Sequence, residues 1–489
     1  MKMNTLYALS HARFAKVSDS HIPPKGLRKR TPRAPPRASD RPRHLPNRDS
    51  RDQARGVQYN GAMTCDTAHI TQRGDSARET DEAFLSCLLD IGEAMLFAGG
   101  DVNLVERSIC RMGAAHGAVD MNVFAITSFM VATMTMPDGS EVTQARRIDS
   151  TGCTNFDQVE KLDKLCTAVC ENRLGAEETR ARFEAIVKQP FPPSALYLGG
   201  IISAGSFAVF FGGSALDGVV SALVAILVCL FMDKLKRFSP NNIVFNFATA
   251  LVAGLLIGAI AHLVPGVSTD MVIIGDIMLL IPGVAMTNAA RDMLAGETVT
   301  GVMRFVESLL WATALASGFM VAMWATDAGS LIISHPRTPV EDVVIELVMA
   351  AFAALGFGLL FNLRASLIPA ACVGGVLSWG IYLAGGVFVE GIFIPCLIAS
   401  AFSALYAEAL ARRYHAPTAI FFIIIMIPLI PGRGLYLTME NVVRGDWPMT
   451  CEFAMLTLQF AAGIALGLAA VWAVTEIMRK VGAHRAAQS

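Results

Sequence analysis

IIGDIMLLIPGVAMTN (273–288) and FFIIIMIPLIPGRG (421–434) carry the same LIPG core, 149 residues apart. Each lies within an apolar run long enough for a bilayer crossing, which needs about 20 residues of helix for a core about 30 Å thick. At the same offset Gly296 falls on Gly445, Glu297 on Asp446 and Gly318 on Gly467. Working outward from the two cores, apolar stretches follow one another from Leu196 to the C-terminal region. The spans read as 195–212, 215–232, 241–263, 271–290, 303–325, 341–361, 367–385, 389–410, 417–438 and 453–478. Helix is the expected form because a helix satisfies its own backbone in lipid. The alternation of a membrane barrel is absent. The expected fold is therefore mainly α, a polytopic membrane protein of about ten transmembrane helices. A duplication at 149 residues divides them into a first half at 191–330 and a second half with a C-terminal tail at 331–489. Five spans are an odd number, so the second half enters the membrane upside down, giving 5+5 inverted repeats.

Composition agrees with this reading. The mean hydropathy is +0.49 and 53% of residues are apolar. The net charge of −1 hides an asymmetry, because residues 1–60 hold 14 Lys/Arg against 4 Asp/Glu. Residues 1–80 read as a disordered basic extension rich in Pro and Arg, too poor in apolar residues to fold. It has no apolar stretch of a secretory signal, no nucleic-acid partner is expected, and Met63 is a plausible alternative start. Lys and Arg on alternate sides of the spans number 11 against 3, the minority being Arg337, Arg433 and Arg444. Basic short loops stay inside, which places both termini in the cytoplasm and the chain in the cytoplasmic membrane.

Residues 81–190 read as a small cytoplasmic α+β domain. Helical periodicity covers 82–98 and ends at Gly99-Gly100, and a second helix covers about 102–115. A β-rich run at 122–136 precedes the turn Pro137-Asp138-Gly139 and a strand at 141–148, and two helices fit 155–173 and 176–189. Cys166 and Cys170 lie one helical turn apart, but no CxxC occurs, so no metal or cofactor is expected.

The Pro-Gly pairs Pro282-Gly283 and Pro431-Gly432 break spans four and nine. Proline removes a backbone donor and displaces the carbonyl four residues back. Freed backbone at membrane depth must face protein or water, and breaks at matching positions of two halves point to a transporter site. Asp276 stands six residues before Pro282 in an apolar run, and a carboxylate at that depth points to function. It suits a coupling proton or a substrate ammonium. Arg304 and Glu307 near the start of span five, with Arg291-Asp292 after span four, form a charge cluster on the path or a set of interface ion pairs. Arg433 is the main cation at membrane depth. No nucleotide-binding, metalloprotease or serine-hydrolase motif occurs, so the chain reads as no enzyme, driven by an ion gradient or its substrate's own.

LLIPGVAMTNAARDMLAGETVTGVMRFVE (279–307), with LLDIGEAMLFAGGDVNLVERSICRMGAAHG (88–117), MPDG and ARRI upstream, resembles the threonine/serine exporter family. The resemblance runs over about 82–480. It implies export of threonine, serine or similar small polar metabolites, dependent on proton-motive force; some two-component relatives look like succinate exporters. It puts the family motif on Pro282, Gly283, Asn288, Arg291, Asp292, Gly296, Gly301, Arg304 and Glu307. The second half keeps Pro431 and Gly432 but has Glu440 and Asn441 in place of Arg291 and Asp292, against a symmetric ion pair. A dicarboxylate exporter and a membrane sensor are the competing readings, and a homo-oligomer is left open.

Overall fold

The computed structural model describes the backbone of residues 67–488 except 127, 149–153, 236–240, 283, 284, 287, 290, 291, 294, 295, 297 and 328–337, and side chains within 79–475. Residues 1–66, expected to be disordered, lie outside the described residues. The first helix, α1 (Thr67–Phe97), starts ahead of the expected position. It is followed by α2 (Val102–His116), begun by Asp101, whose carboxylate accepts from Leu104 N, and ended by left-handed Gly117. The β-rich run at 122–136 folds as two strands, where one was expected. These are β1 (Asp120–Ile126) and β2 (Phe129–Thr135), joined with β3 (Glu141–Arg147) in an antiparallel sheet of order β1-β2-β3. Phe129 pairs with both Ile126 and Arg147, so the reversal falls within the apolar run itself. Two helices, α3 (Phe156–Asn172) and α4 (Ala176–Val187), close this lobe. One face of the sheet and α1 to α3 bury Leu85, Leu88, Ile109, Met130, Met134 and Leu162 in a core of their own.

Beyond Pro192 the chain is helical and apolar. The first half holds α5 (Pro193–Phe210), α6 (Ala215–Leu230, continued by a π turn to Leu235), α7 (Asn242–Leu263), the short α8 (Thr269–Ile277) and α9 (Thr298–Thr326). The second holds α10 (Pro339–Leu360), α11 (Ile368–Phe388), α12 (Phe393–Tyr414), the short α13 (Thr418–Met426), α14 (Gly432–Arg444) and α15 (Trp447–Gln488). Eight of these helices are long and apolar enough to cross a membrane unbroken. Spans four and nine are not continuous helices.

Helix packing shows that the broken segments also cross. A Cβ on Gly254 of α7 would touch Ala322 of α9, and one on Gly258 would touch Thr326. Contacts thus advance together along both helices, so α7 and α9 run parallel, and the chain between them must return across the membrane. In the second half Cys396 bonds Phe460 O and Ser400 bonds Ile464 O, so α12 and α15 are parallel too. Thr418–Leu429 and Gly432–Arg444 meet at 57°, a bend that keeps the chain moving forward. Their lengths of about 18 Å and about 20 Å, the second contributing about 11 Å along the first, together match the core of about 30 Å.

The halves are built alike. A Cβ on Gly318 would lie 2.5 Å from Phe247 O and 2.9 Å from the Ala250 Cβ; one on Gly467 would lie 2.6 Å from Leu397 O and 2.8 Å from the Ser400 Cβ. The 149-residue glycine match is thus a shared wedge between the third and fifth crossings. The first helices of the two halves pack on each other head to tail: Gly199 of α5 meets Leu360 of α10, while Ser203 meets Gly356. Corresponding helices running antiparallel are what inverted repeats require. Both helices end in the same turn, with Gly212 (φ 106°) and Asn362 (φ 51°) in the left-handed region.

The second of these turns also holds the lobe. Phe156 N and Asp157 N, at the start of α3, donate to Phe361 O (2.8 Å) and Asn362 O (3.0 Å). Asn362 Nδ2 donates to Asn155 Oδ1 at 2.9 Å. Arg364 Nη1 donates to Glu160 Oε1 at 2.7 Å, and the Glu160 side chain is only 3% exposed.

Candidate functional site

The two breaks lie against each other. In the first half α8 stops at Ile277, ahead of Pro282, because proline disfavours helical backbone before it and deletes a donor. Leu279 N bonds Asp276 O, and Leu280 N and Ile281 N bond Ile277 O. In the second half Pro428 tightens the chain into a 3₁₀ turn over Ile427–Leu429, and Pro431 precedes α14. A Cβ on Gly432 would lie 2.7 Å from Met278 Sδ and 3.0 Å from Ile281 Cγ2. Only glycine lets the second break come this close to the first.

Asp276 sits two residues before Met278, in the last turn of α8, fully buried. Neither of its carboxylate oxygens has a hydrogen-bond partner among the described residues. Ser221 Oγ of α6 lies beside it without the geometry of a hydrogen bond, and is likewise unpartnered. Cys229, about two turns further along α6, is within electrostatic reach of the carboxylate. Its thiol donates to Leu196 O at 3.6 Å. Asp276 therefore lies in a buried position walled by α5, α6 and α8.

The expected residues fall into three places. Gly432 meets Met278 and Ile281 at the crossing, with Pro431 and Pro282 the chain neighbours of Gly432 and Ile281, and Asp276 lies two residues before Met278. Arg433 opens α14, and its guanidinium lies 5.4 Å above the ring of Phe211, at the end of α5. Asp270, in the first turn of α8, is an acidic group within electrostatic reach of Arg433, Tyr436 and Glu440, and Glu440 itself also reaches Tyr436. Glu440 pairs with Arg444 at 2.5 Å. Asp292 and Arg304 form a separate ion pair at 2.7 Å, with side chains 3% and 14% exposed, and Glu307 is half-buried close by. Asn288 is helical and half-buried. Gly283 and Arg291 lie outside the described residues.

Ser221, Asp270 and Tyr436 were not singled out from sequence. Ser221 is a small residue in an apolar helix, with nothing in its neighbours to mark it. Asp270 follows the Ser268 turn and reads as an ordinary first-turn acid. Tyr436 repeats at helical spacing with Gly432 and Glu440, a signal visible only once α14 is known to start at Gly432.

Among the described residues no group of acidic, histidine and cysteine side chains could hold a metal ion. Cys166 is buried, and burial pushes its thiol well up, away from the thiolate a metal needs.

Two family models match the chain. One, described as "Putative threonine/serine exporter", matches residues 86–325, and the other, "Threonine/Serine exporter, ThrE", matches 346–474. A "Threonine/serine exporter" of Corynebacterium glutamicum is 24% identical over 337 residues, 64% of this chain and 67% of that protein. A "Probable succinate transporter subunit YjjP" of Klebsiella aerogenes is 27% identical over 47% of this chain and 88% of its own length. Its namesake in Escherichia coli (strain K12) is 24% identical over 50% of this chain and 95% of its own. No solved structure matches. With one family module spanning the lobe and first half, and the other spanning α10 to α15, the chain belongs to the threonine/serine exporter family.

Proposed function

We propose that the chain is a secondary exporter of threonine and serine across the cytoplasmic membrane, driven by the inward proton gradient. The observation that carries the reading is the contact of the two helix breaks beside the buried, unpartnered carboxyl of Asp276. A buried charge without a counter-charge is costly; a proton on Asp276 removes that cost. Opening the crossing to water lets the proton leave, and reclosing demands another. The inverted halves supply two equivalent arrangements, one open to each side. The lobe and both termini face the cytoplasm in this reading, following the charge count of the loops.

The substrate follows from the charges near the crossing. Arg433 offers a cation at the first turn of α14, where backbone donors also favour an anion. Asp270 offers the opposite charge. A zwitterion matches both signs, whereas a dicarboxylate needs two cationic ends. The second reading, succinate export, takes its support from the names of the two half-length relatives.

The test loads cells with threonine- or serine-containing dipeptides, or with succinate, and follows efflux with and without the protein and an uncoupler. Uncoupler-sensitive efflux of threonine and serine is expected. Succinate efflux alone transfers the assignment to the second reading, and unchanged efflux of all three removes both.

A further inference from the structure

The junction between the lobe and the second half forms a half-open cavity of about 390 Å³. Small-molecule sites range over roughly 300–1,000 Å³. Three segments wall it: the start of α3, the linker Gln189–Pro192 that leads into α5, and the turn after α10. A molecule in it would touch the lobe, the entry to the first half and the second half together.

Its polar lining carries both signs. Lys161 Nζ gives one hydrogen to Asp157 Oδ2 (2.5 Å) and one to Gln189 Oε1 (2.6 Å), leaving a third. Arg364 uses Nη1 on Glu160 and Nε on Ser366, leaving Nη2. The amides of Gln158 and Asn362 line the same space. Behind Arg364, Glu160 Oε2 is buried with no hydrogen-bond partner, so Glu160 holds the guanidinium through one oxygen only. Lys161 and Arg364 thus line the same space as Asp157 and Gln189, to which Lys161 is itself bonded, and their remaining hydrogens and lone pairs offer a carboxylate and an ammonium partners of both signs.

We propose that this cavity is a second amino-acid site, separate from the transport path. Its ligand is a small α-amino acid whose carboxylate lies between Lys161 and Arg364 and whose ammonium lies on Asp157 and Gln189. Bound there, it ties the lobe and linker to the second half, so occupancy on the lobe's side of the membrane biases the relative position of the halves. Naming an amino acid as ligand rests on the proposed transport substrate; the cavity and its charges do not.

The experiment is calorimetric titration of the purified full chain in nanodiscs with L-threonine, L-serine and succinate. Ala365→Phe fills the cavity without touching an ion pair, and Lys161→Ala removes a donor. The expected result is one fewer amino-acid site per chain in Ala365→Phe than in wild type, and about a tenfold weaker site in Lys161→Ala, about 1.4 kcal/mol. The Asp276→Asn chain keeps the cavity site. If Ala365→Phe fails to fold, Lys161→Ala decides. Equal stoichiometry and affinity in wild type and variants overturn the proposal, as does a wild type that binds no amino acid. A cavity that takes succinate instead overturns the zwitterion assignment. If transport of amino acids fails but the cavity binds them, the wild type has one site and Ala365→Phe none, which separates the two failures.

Discussion

The two halves share a frame and differ in chemistry. The glycine wedge at Gly318 is repeated at Gly467, with the same partners one half later. The interior beside the breaks is not repeated. At 149 residues from Asp276 stands Ile425, and counting from the N-caps Ser214 and Leu367, Ser221 corresponds to Gly374. Gly374 packs directly on Ile425, its Cβ position 2.7 Å from Ile425 Cγ1. Where the first half holds a carboxyl beside a hydroxyl, the second holds an isoleucine methylene filling the space of a missing side chain. The ion pairs diverge as well. Asp292 and Arg304 link the segment after the first break to α9, whereas Asn441 and Phe453 stand at those positions in the second half. There the pair is Glu440–Arg444, within one helix. Duplication preserves the packing that lets the helices cross, and the polar equipment specialises.

The comparison can be broken at its strongest point first. Asp276→Ile gives the first half the second half's interior. Uncoupler-sensitive efflux should fall at least about tenfold while membrane insertion and expression stay at wild-type levels. Normal coupled efflux in that chain would remove Asp276 from the mechanism. The reverse change, Ile425→Asp, should cost about 3 kcal/mol by placing a carboxylate in an apolar site, and it should not rescue Asp276→Ile.

The ion pairs come next in size. Arg304→Met takes the cationic partner at 2.7 Å away from the buried Asp292 carboxylate and should destabilise the folded chain by about 3–5 kcal/mol, read as a lowered melting temperature in detergent. Arg444→Met removes a partner that is 53% exposed, and the cost should stay near about 0.5 kcal/mol. Similar losses for both would show that the two pairs are equivalent after all. Gly318→Leu and Gly467→Leu sharpen the shared part. Each overpacks a wedge that ends on backbone, at about 1–3 kcal/mol, and the two losses should agree within about 1 kcal/mol. The smallest effect concerns the left-handed turn: Gly212→Asn copies Asn362 and should leave stability within about 0.5 kcal/mol, whereas Gly212→Val should cost about 1–2 kcal/mol.

Much of this frame is legible in the sequence, for a physical reason. Crossing helices are set by run length and by small residues at fixed spacing, and both survive duplication, so Gly318 and Gly467 find each other by counting. Asp276 announces itself because any carboxylate in an apolar run is conspicuous. Prolines mark both interrupted segments in the sequence, but the end of α8 at Ile277, before Pro282, is not visible there, since Met278, Leu279 and Leu280 are as apolar as a continuing helix. The hairpin inside 122–136 was missed because no glycine or proline marks its turn. Least legible is the junction of the lobe with the second half. Asn155 and Asn362 are 207 residues apart, and no local pattern in either segment names the other.

That separation has a temporal meaning. The first backbone donors of α3 are satisfied by carbonyls that the ribosome delivers about 200 residues later. At about 5–20 residues per second, the interval is about 10–40 s. Through that time the lobe must wait with its third helix unfinished at one end, while five crossings enter the bilayer. Its final seat exists only if α10 arrives in the right orientation. The lobe thus completes its own fold as a late step of membrane assembly, and a chain whose second half inserts wrongly exposes the start of α3 and the buried Glu160 to the machinery that clears misassembled proteins.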